Sequence, residues 1–115
     1  MNQNQRFCLT LDLKDDPIMT KEYEFWHQKD HIWPEIPAGI RSVGILSMEI
    51  YRIDNRLFMI IDTGPEFDFE RDMERLSHLP RQSEWEAFVA HYQNSGKNEQ
   101  AKEKWKLMKQ VFSLD

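Results

Sequence analysis

Ile45-Leu-Ser-Met-Glu-Ile-Tyr-Arg-Ile53, Asp54-Asn-Arg56 and Leu57-Phe-Met-Ile-Ile-Asp62, read together, decide how this chain folds. In the first piece Leu46, Met48 and Ile50 fall on one side and Ser47, Glu49 and Tyr51 on the other, the period of two that marks a strand. The last piece is apolar on both faces, as a strand is when it lies centrally or is covered on both sides. Asp and Asn tolerate turn conformations best after glycine, so Asp54-Asn55-Arg56 predicts a short hairpin loop.

Upstream, Phe7, Leu9, Leu11 and Leu13 alternate with Cys8, Thr10 and Asp12, which predicts a strand over residues 7–13. Lys14-Asp-Asp-Pro17 is turn chemistry, with Pro17 suited to a first helical turn, and a helix is expected from Ile18 to about Lys29. Pro34 breaks or kinks it by removing a donor and crowding the preceding turn. A second helical piece runs to about Val43, and Gly44 closes it. Downstream of Gly64-Pro65, Glu66 to Leu79 carries Phe69, Met73 and Leu76 at helical spacing. After Pro80, Gln82 to Gln93 does the same with Trp85, Phe88, Val89 and Tyr92. Asn94 to Lys97 reads as a polar loop, Lys97 to Lys106 as a solvent-exposed mixed charge run, and Trp105 to Leu114 alternates as a closing strand.

This βαββαβ order most economically forms a ferredoxin-like α+β sandwich, with helices on one face of the sheet. The middle strands carry apolar residues on both sides, so the other face also needs a cover. Two sheets packed face to face supply it, which predicts a homodimer of the dimeric α/β-barrel type.

The chain has 115 residues, 40% of them hydrophobic and 30% charged, which fits a single domain over residues 1–115. Cys8, the one cysteine, excludes an internal disulfide and a multi-cysteine metal cluster. Twenty acidic against fifteen basic residues leave a net charge of −5, which argues against a nucleic-acid binder. No apolar run approaches the ~18 residues of a membrane span. Met1 to Arg6 lacks the apolar stretch of a signal peptide, so a cytoplasmic protein is expected.

The richest chemistry lies between Tyr23 and Ile36. Tyr23 and His27, four residues apart on one helical face, can form an acid/base pair near neutral pH; the same spacing fits a core tyrosine beside a solvated histidine. His31 continues the step, but two imidazoles without a third ligand are weak support for a metal. Trp33, in Trp33-Pro34-Glu35, can wall a pocket or plug the core at a kink. Trp85 and Trp105 suit the core or a ligand platform, and Glu49 and Tyr51 suit a site or a contact face. Phosphate-binding glycine loops, G-x-S-x-G and H-E-x-x-H are absent from the sequence.

Taken as a pattern, Tyr23, His27, Ile32-Trp33-Pro34-Glu35, Gly44, Met48-Glu49-Ile50-Tyr51 and Asn55-Arg56-Leu57-Phe58-Met59 resemble the L-rhamnose mutarotase family. The likeness extends through Trp85 to Val111-Phe112. It implies a cofactor-free, metal-free dimer that interconverts the α and β anomers of a 6-deoxy hexose such as L-rhamnose or L-fucose. By the same match His27 is the general acid and Tyr23 a sugar contact. Two extra residues separate His27 from Trp33-Pro34-Glu35, which brings His31 into competition; His27 alone keeps the step from Tyr23. The family's strand tyrosine appears as Met48 or is replaced by Tyr51, and its Trp-Trp pair appears as Glu84-Trp85. Trp33 and Trp85 then pack the apolar face of the sugar, while the partner base is left open between Glu49 and a bound water. The competing readings are a cofactor-free monooxygenase-like dimer on the same fold and a non-catalytic sugar-binding dimer.

Overall fold

A computed structural model describes residues 3–94 and 104–115 of the chain. The hairpin forms where the alternation placed it. β2 (Ile45–Ile53) and β3 (Arg56–Thr63) pair antiparallel, and the turn is reduced to Asp54 and Asn55, with Asp54 in the left-handed region at φ 51°. β1 (Gln5–Asp12) lies on the other side of β3, in register from Gln5 opposite Thr63 to Asp12 opposite Arg56. β3 is therefore flanked on both edges, with one face buried and the other half-buried.

α1 (Pro17–Trp26) starts where Asp16 accepts hydrogen bonds from the Ile18 and Met19 amides, with Pro17 in its first turn. α2 (Glu35–Ser42) follows Pro34 and ends before Gly44, whose φ of +101° is left-handed and suits glycine. α3 (Phe69–Ser77) and α4 (Gln82–Ala90) are each shorter than the sequence pattern suggested. α1 likewise stops short of Lys29.

The expected closing strand is also shorter. β4 is only Lys106–Leu107, paired with Thr10 and Leu9 of β1. Alternation permits a strand but does not supply a partner: past Met108 no neighbouring strand takes up the backbone, and Val111, Phe112 and Leu114 stand exposed. The charge run is not wholly solvated, since Lys104 is buried; residues 95–103, with the rest of that run and most of the expected loop, lie outside the described residues.

The sheet order β2-β3-β1-β4, antiparallel throughout, with helices against one face, is the ferredoxin-like arrangement. Leu9, Leu11, Leu57, Met59 and Ile61 point into the core and meet Tyr23, Ile36, Leu76, Trp85 and Val89 from the helices. The opposite face carries the cross-strand pairs Cys8–Ile60 and Thr10–Phe58, with Tyr51 opposite Phe58 on β2. Ion pairs Arg6–Asp62 (2.8 Å) and Arg56–Asp12 (2.9 Å) flank this patch. Among the described residues no helix is long and apolar enough to cross a membrane.

One buried carboxylate organises α3. Asp72, 1% exposed, accepts from the Asp68 amide (2.8 Å), Arg71 Nη2 (2.9 Å) and Arg75 Nη1 (2.6 Å), while Asp68 accepts from the Arg71 amide. The Arg71 guanidinium, more than burial opposes it, holds the Asp72 carboxyl far below the usual carboxylate range. Replacing Asp72 with Ala removes these bonds while water can still reach both arginines, and should cost about 2 kcal/mol in urea unfolding. In the parent protein the contribution of Asp72 is complete above its unfolded value of ~3.9 and is lost as pH falls below it. The Asp72→Ala protein should lack that acid-side loss.

Candidate active site

The end of α1 builds the site. The His27 amide donates to the Glu24 carbonyl at 3.1 Å, which leaves the Tyr23 carbonyl as one of the unmatched acceptors of a helix C-terminus. The His27 ring fills that vacancy, with Nδ1 donating to the Tyr23 oxygen at 2.7 Å. A carbonyl only accepts, so Nδ1 keeps its proton in either charge state and Nε2 is the nitrogen that titrates. The imidazole lies 4.1 Å from the Tyr23 ring and 5.2 Å from Trp85, centroid to centroid. Burial lowers the His27 pKa, opposed in part by the bond to the Tyr23 carbonyl. Burial pushes the Tyr23 phenol well above its usual range, although a hydrogen bond from the Gln93 side chain opposes this, so the phenol stays protonated.

Tyr23 and His27 line a largely apolar cavity of ≈ 110 Å³ between sheet and helices. The sheet contributes Met48, Ile50, Met59 and Ile61; α2 contributes Ile36 and Ile40; α3 contributes Met73 and Leu76. α4 adds Gln82, Trp85, Glu86 and Val89, and Gln93, 4% exposed, follows them. Tyr23 and His27 also border an open groove with Glu24, Gln28, Tyr51 and Arg52, so the histidine stands where cavity and groove meet. An ion pair between Glu24 and Arg52 crosses that groove.

The structure thus brings Tyr23, His27, Met48 and Trp85 together around one space. Trp33 does not line it. Its ring packs edge-on against Trp85 at 5.1 Å with the Arg81 guanidinium 4.0 Å above it, so Trp33 buttresses the wall from behind. Tyr51 is 55% exposed and borders only the open groove, because it alternates out of phase with Met48 and Ile50. Glu49 shares the outward phase of Tyr51 and accepts from its hydroxyl at 3.3 Å, away from the cavity. Because α1 ends at Trp26, His31 leaves the helical face of His27 and stacks on Phe25 at 3.9 Å. Among the described residues no group of three His, Cys, Asp or Glu side chains could hold a metal.

Sequence reasoning passed over Gln82, Glu86 and Gln93. In a charged helix they look like solvent positions. The available signal was their shared face with Trp85 and Val89, at steps of three and four residues from Gln82 onward.

Residues 6–114 match the sequence model described as L-rhamnose mutarotase. An L-fucose mutarotase of Xanthomonas campestris pv. campestris is 34% identical over 110 residues, covering 96% of this chain and 88% of that protein. The solved L-rhamnose mutarotase of Formosa agariphila superposes with a TM-score of 0.72 at 18% identity, over 96% of this chain and 99% of that one. Tetracenomycin F2 cyclase of Streptomyces glaucescens, a type-II polyketide cyclase, superposes with a TM-score of 0.62, also at 18% identity and over the same shares of the two chains. At that identity the two structures speak for the fold alone. The sequence match, which runs through both the Tyr23–His27 step and the Trp85 wall, assigns the chain to the L-rhamnose mutarotase family.

Proposed function

We propose that this protein interconverts the α and β anomers of a 6-deoxy hexose, L-fucose or L-rhamnose, with His27 as the general acid. The observation that carries this reading is the His27 ring itself, locked through Nδ1 and lining the cavity between Tyr23 and Trp85. Mutarotation opens the pyranose by protonating the ring oxygen while the anomeric hydroxyl loses its proton. Rotation at C1 and re-closure on the other carbonyl face give the second anomer. The chemistry calls for positioned acid and base groups and for no metal or nucleotide. A depressed pKa makes His27 the stronger acid toward a weakly basic ring oxygen. Tyr23, kept protonated, donates to a sugar hydroxyl; Met48 and the face of Trp85 pack the apolar side of the ring. The wholly apolar walls from α2 and α3 suit the methyl group of a 6-deoxy sugar.

The reading includes a homodimer. The half-buried patch around Cys8, Phe58 and Ile60, and the exposed tail residues Val111 (88%) and Phe112 (74%), are the surfaces a second copy would cover. It also includes a cytoplasmic setting, in keeping with a small chain whose one cysteine offers none of the internal cross-links common in small secreted domains.

Anomer exchange measured by saturation-transfer NMR on L-fucose and L-rhamnose tests the activity and identifies the sugar. His27→Asn should slow exchange by on the order of 10²-fold or more. His31→Asn should stay within a few-fold of the parent, and the opposite ranking would move the acid to His31.

The same measurement against pH tests the role of His27. The titratable or charged groups that share its surroundings are Tyr23, Glu24, Arg52, Glu86 and Lys104. The His27 pKa lies below its ordinary value, so the acid form is lost as pH rises, and kcat should already be falling as pH climbs past ~6.5. A kcat that rises through that range would make His27 the base.

For the assembly, sedimentation at micromolar concentration should show a dimer, and Phe58→Lys should shift it toward monomer. A parent protein that sediments as a well-behaved monomer would remove the dimer from the reading.

A further inference from the structure

Mutarotation needs a group to take the anomeric proton as well as one to protonate the ring oxygen, and Glu49 faces away from the cavity. The described residues that line the cavity and titrate are Tyr23, His27, Glu86 and Lys104. The Tyr23 phenol is kept protonated by burial. An ammonium such as that of Lys104 donates and does not accept. Glu86 is the carboxylate of this set.

Its placement follows from helix geometry. α4 turns Gln82, Trp85, Glu86 and Val89 toward the cavity, the row generated by steps of three and four residues. Trp85 meets the His27 ring edge-on, and Glu86 is the next residue in the chain. One turn earlier, buried Gln82 donates from Nε2 to Glu86 Oε2 at 3.0 Å, which sets the orientation of the carboxylate. The other carboxylate near His27, on Glu24, lies in the open groove and is paired with Arg52.

We propose that Glu86 is the base that works opposite His27, with Gln82 as its positioning residue; the assignment rests on the mutarotase reading above. In ring opening, the imidazolium passes its Nε2 proton to the ring oxygen as the C1–O5 bond breaks with its electron pair going to oxygen. The O1–H electrons become the second bond of the C1=O1 carbonyl, and that proton goes to the Glu86 carboxylate. After rotation about C1–C2, the C5 hydroxyl oxygen attacks the other carbonyl face. Its proton returns to His27, and the Glu86 carboxyl proton goes to O1. No proton is gained or lost over the cycle, and both groups are reset. A carboxylate has two acceptor oxygens, so one side chain can serve O1 in either anomeric position.

The test is anomer exchange by NMR on L-fucose and L-rhamnose, with kcat and KM separated and folding followed by circular dichroism. Glu86→Gln keeps the shape and cannot take up the proton; kcat should fall by on the order of 10²-fold with KM within a few-fold. Glu24→Gln should remain near the parent. Glu86→Ala should be slow alone and recover part of its rate on addition of formate, a small carboxylate that can enter the vacated space; a merely structural role gives no such rescue. Gln82→Met, which leaves Glu86 in place, should lower kcat several-fold at unchanged KM. If Glu86→Gln folds and exchanges at the parent rate while His27→Asn does not, Glu86 is not the base and the mutarotase reading stands. If Glu86→Gln does not fold, formate decides: rescue of Glu86→Ala supports the assignment and its absence overturns it. If the parent exchanges neither sugar, the mutarotase reading fails and takes the assignment with it.

Discussion

The hydrogen bond from His27 Nδ1 to the Tyr23 carbonyl is the contact on which the site depends. It arises from the oldest constraint on a helix, the unmatched carbonyls of its last turn. Here a side chain rather than water or glycine satisfies one of them, so the residue that ends α1 is also the residue whose ring lines the cavity. The bond settles the tautomer and the ring plane at once. An imidazole oriented only by solvent would have to be ordered each time a sugar bound.

Around that contact the fold supplies two kinds of wall. The sheet and the helices α2 and α3 give apolar lining, while α1 and α4 carry the polar groups. This division is a consequence of the topology. In a ferredoxin-like sandwich the helices share one face of the sheet, so residues far apart in sequence, such as Tyr23 and Trp85, come to face one cavity. Low polarity in the cavity depresses the His27 pKa and raises that of Tyr23, which separates the two groups into a stronger acid and a persistent donor.

Stability and the proposed chemistry rest on different carboxylates. Asp72, buried and held by two arginines and a backbone amide, remains ionised far into acid and ties α3 together. Glu86 is half-buried on the cavity side of α4, where the Gln82 side chain donates to it. Trp33 acts at one remove: it stiffens Trp85 from behind through ring contact and holds Arg81 against its own face.

Much of this was legible in the residues themselves. Alternation over Ile45–Ile53 and Leu57–Asp62 specified the hairpin and its central strand, because a period of two is a local property of extended backbone. Pro17, Pro34 and Gly44 marked boundaries through their own φ preferences, and the four-residue step from Tyr23 to His27 survived because it lies within the last turn of one helix. Tertiary structure alone decided which side of β2 faces the cavity, so Met48 entered the site while Tyr51 and Glu49 did not. It alone moved Trp33 behind Trp85 and took His31 off the helical face, whereas the inward turn of Gln82, Glu86 and Gln93 was foreshadowed by the face they share with Trp85 and Val89. Local pattern fixes what a residue can do within its own element; which face of that element meets another is set by packing between segments distant in sequence, and that information is held in no single stretch of the chain.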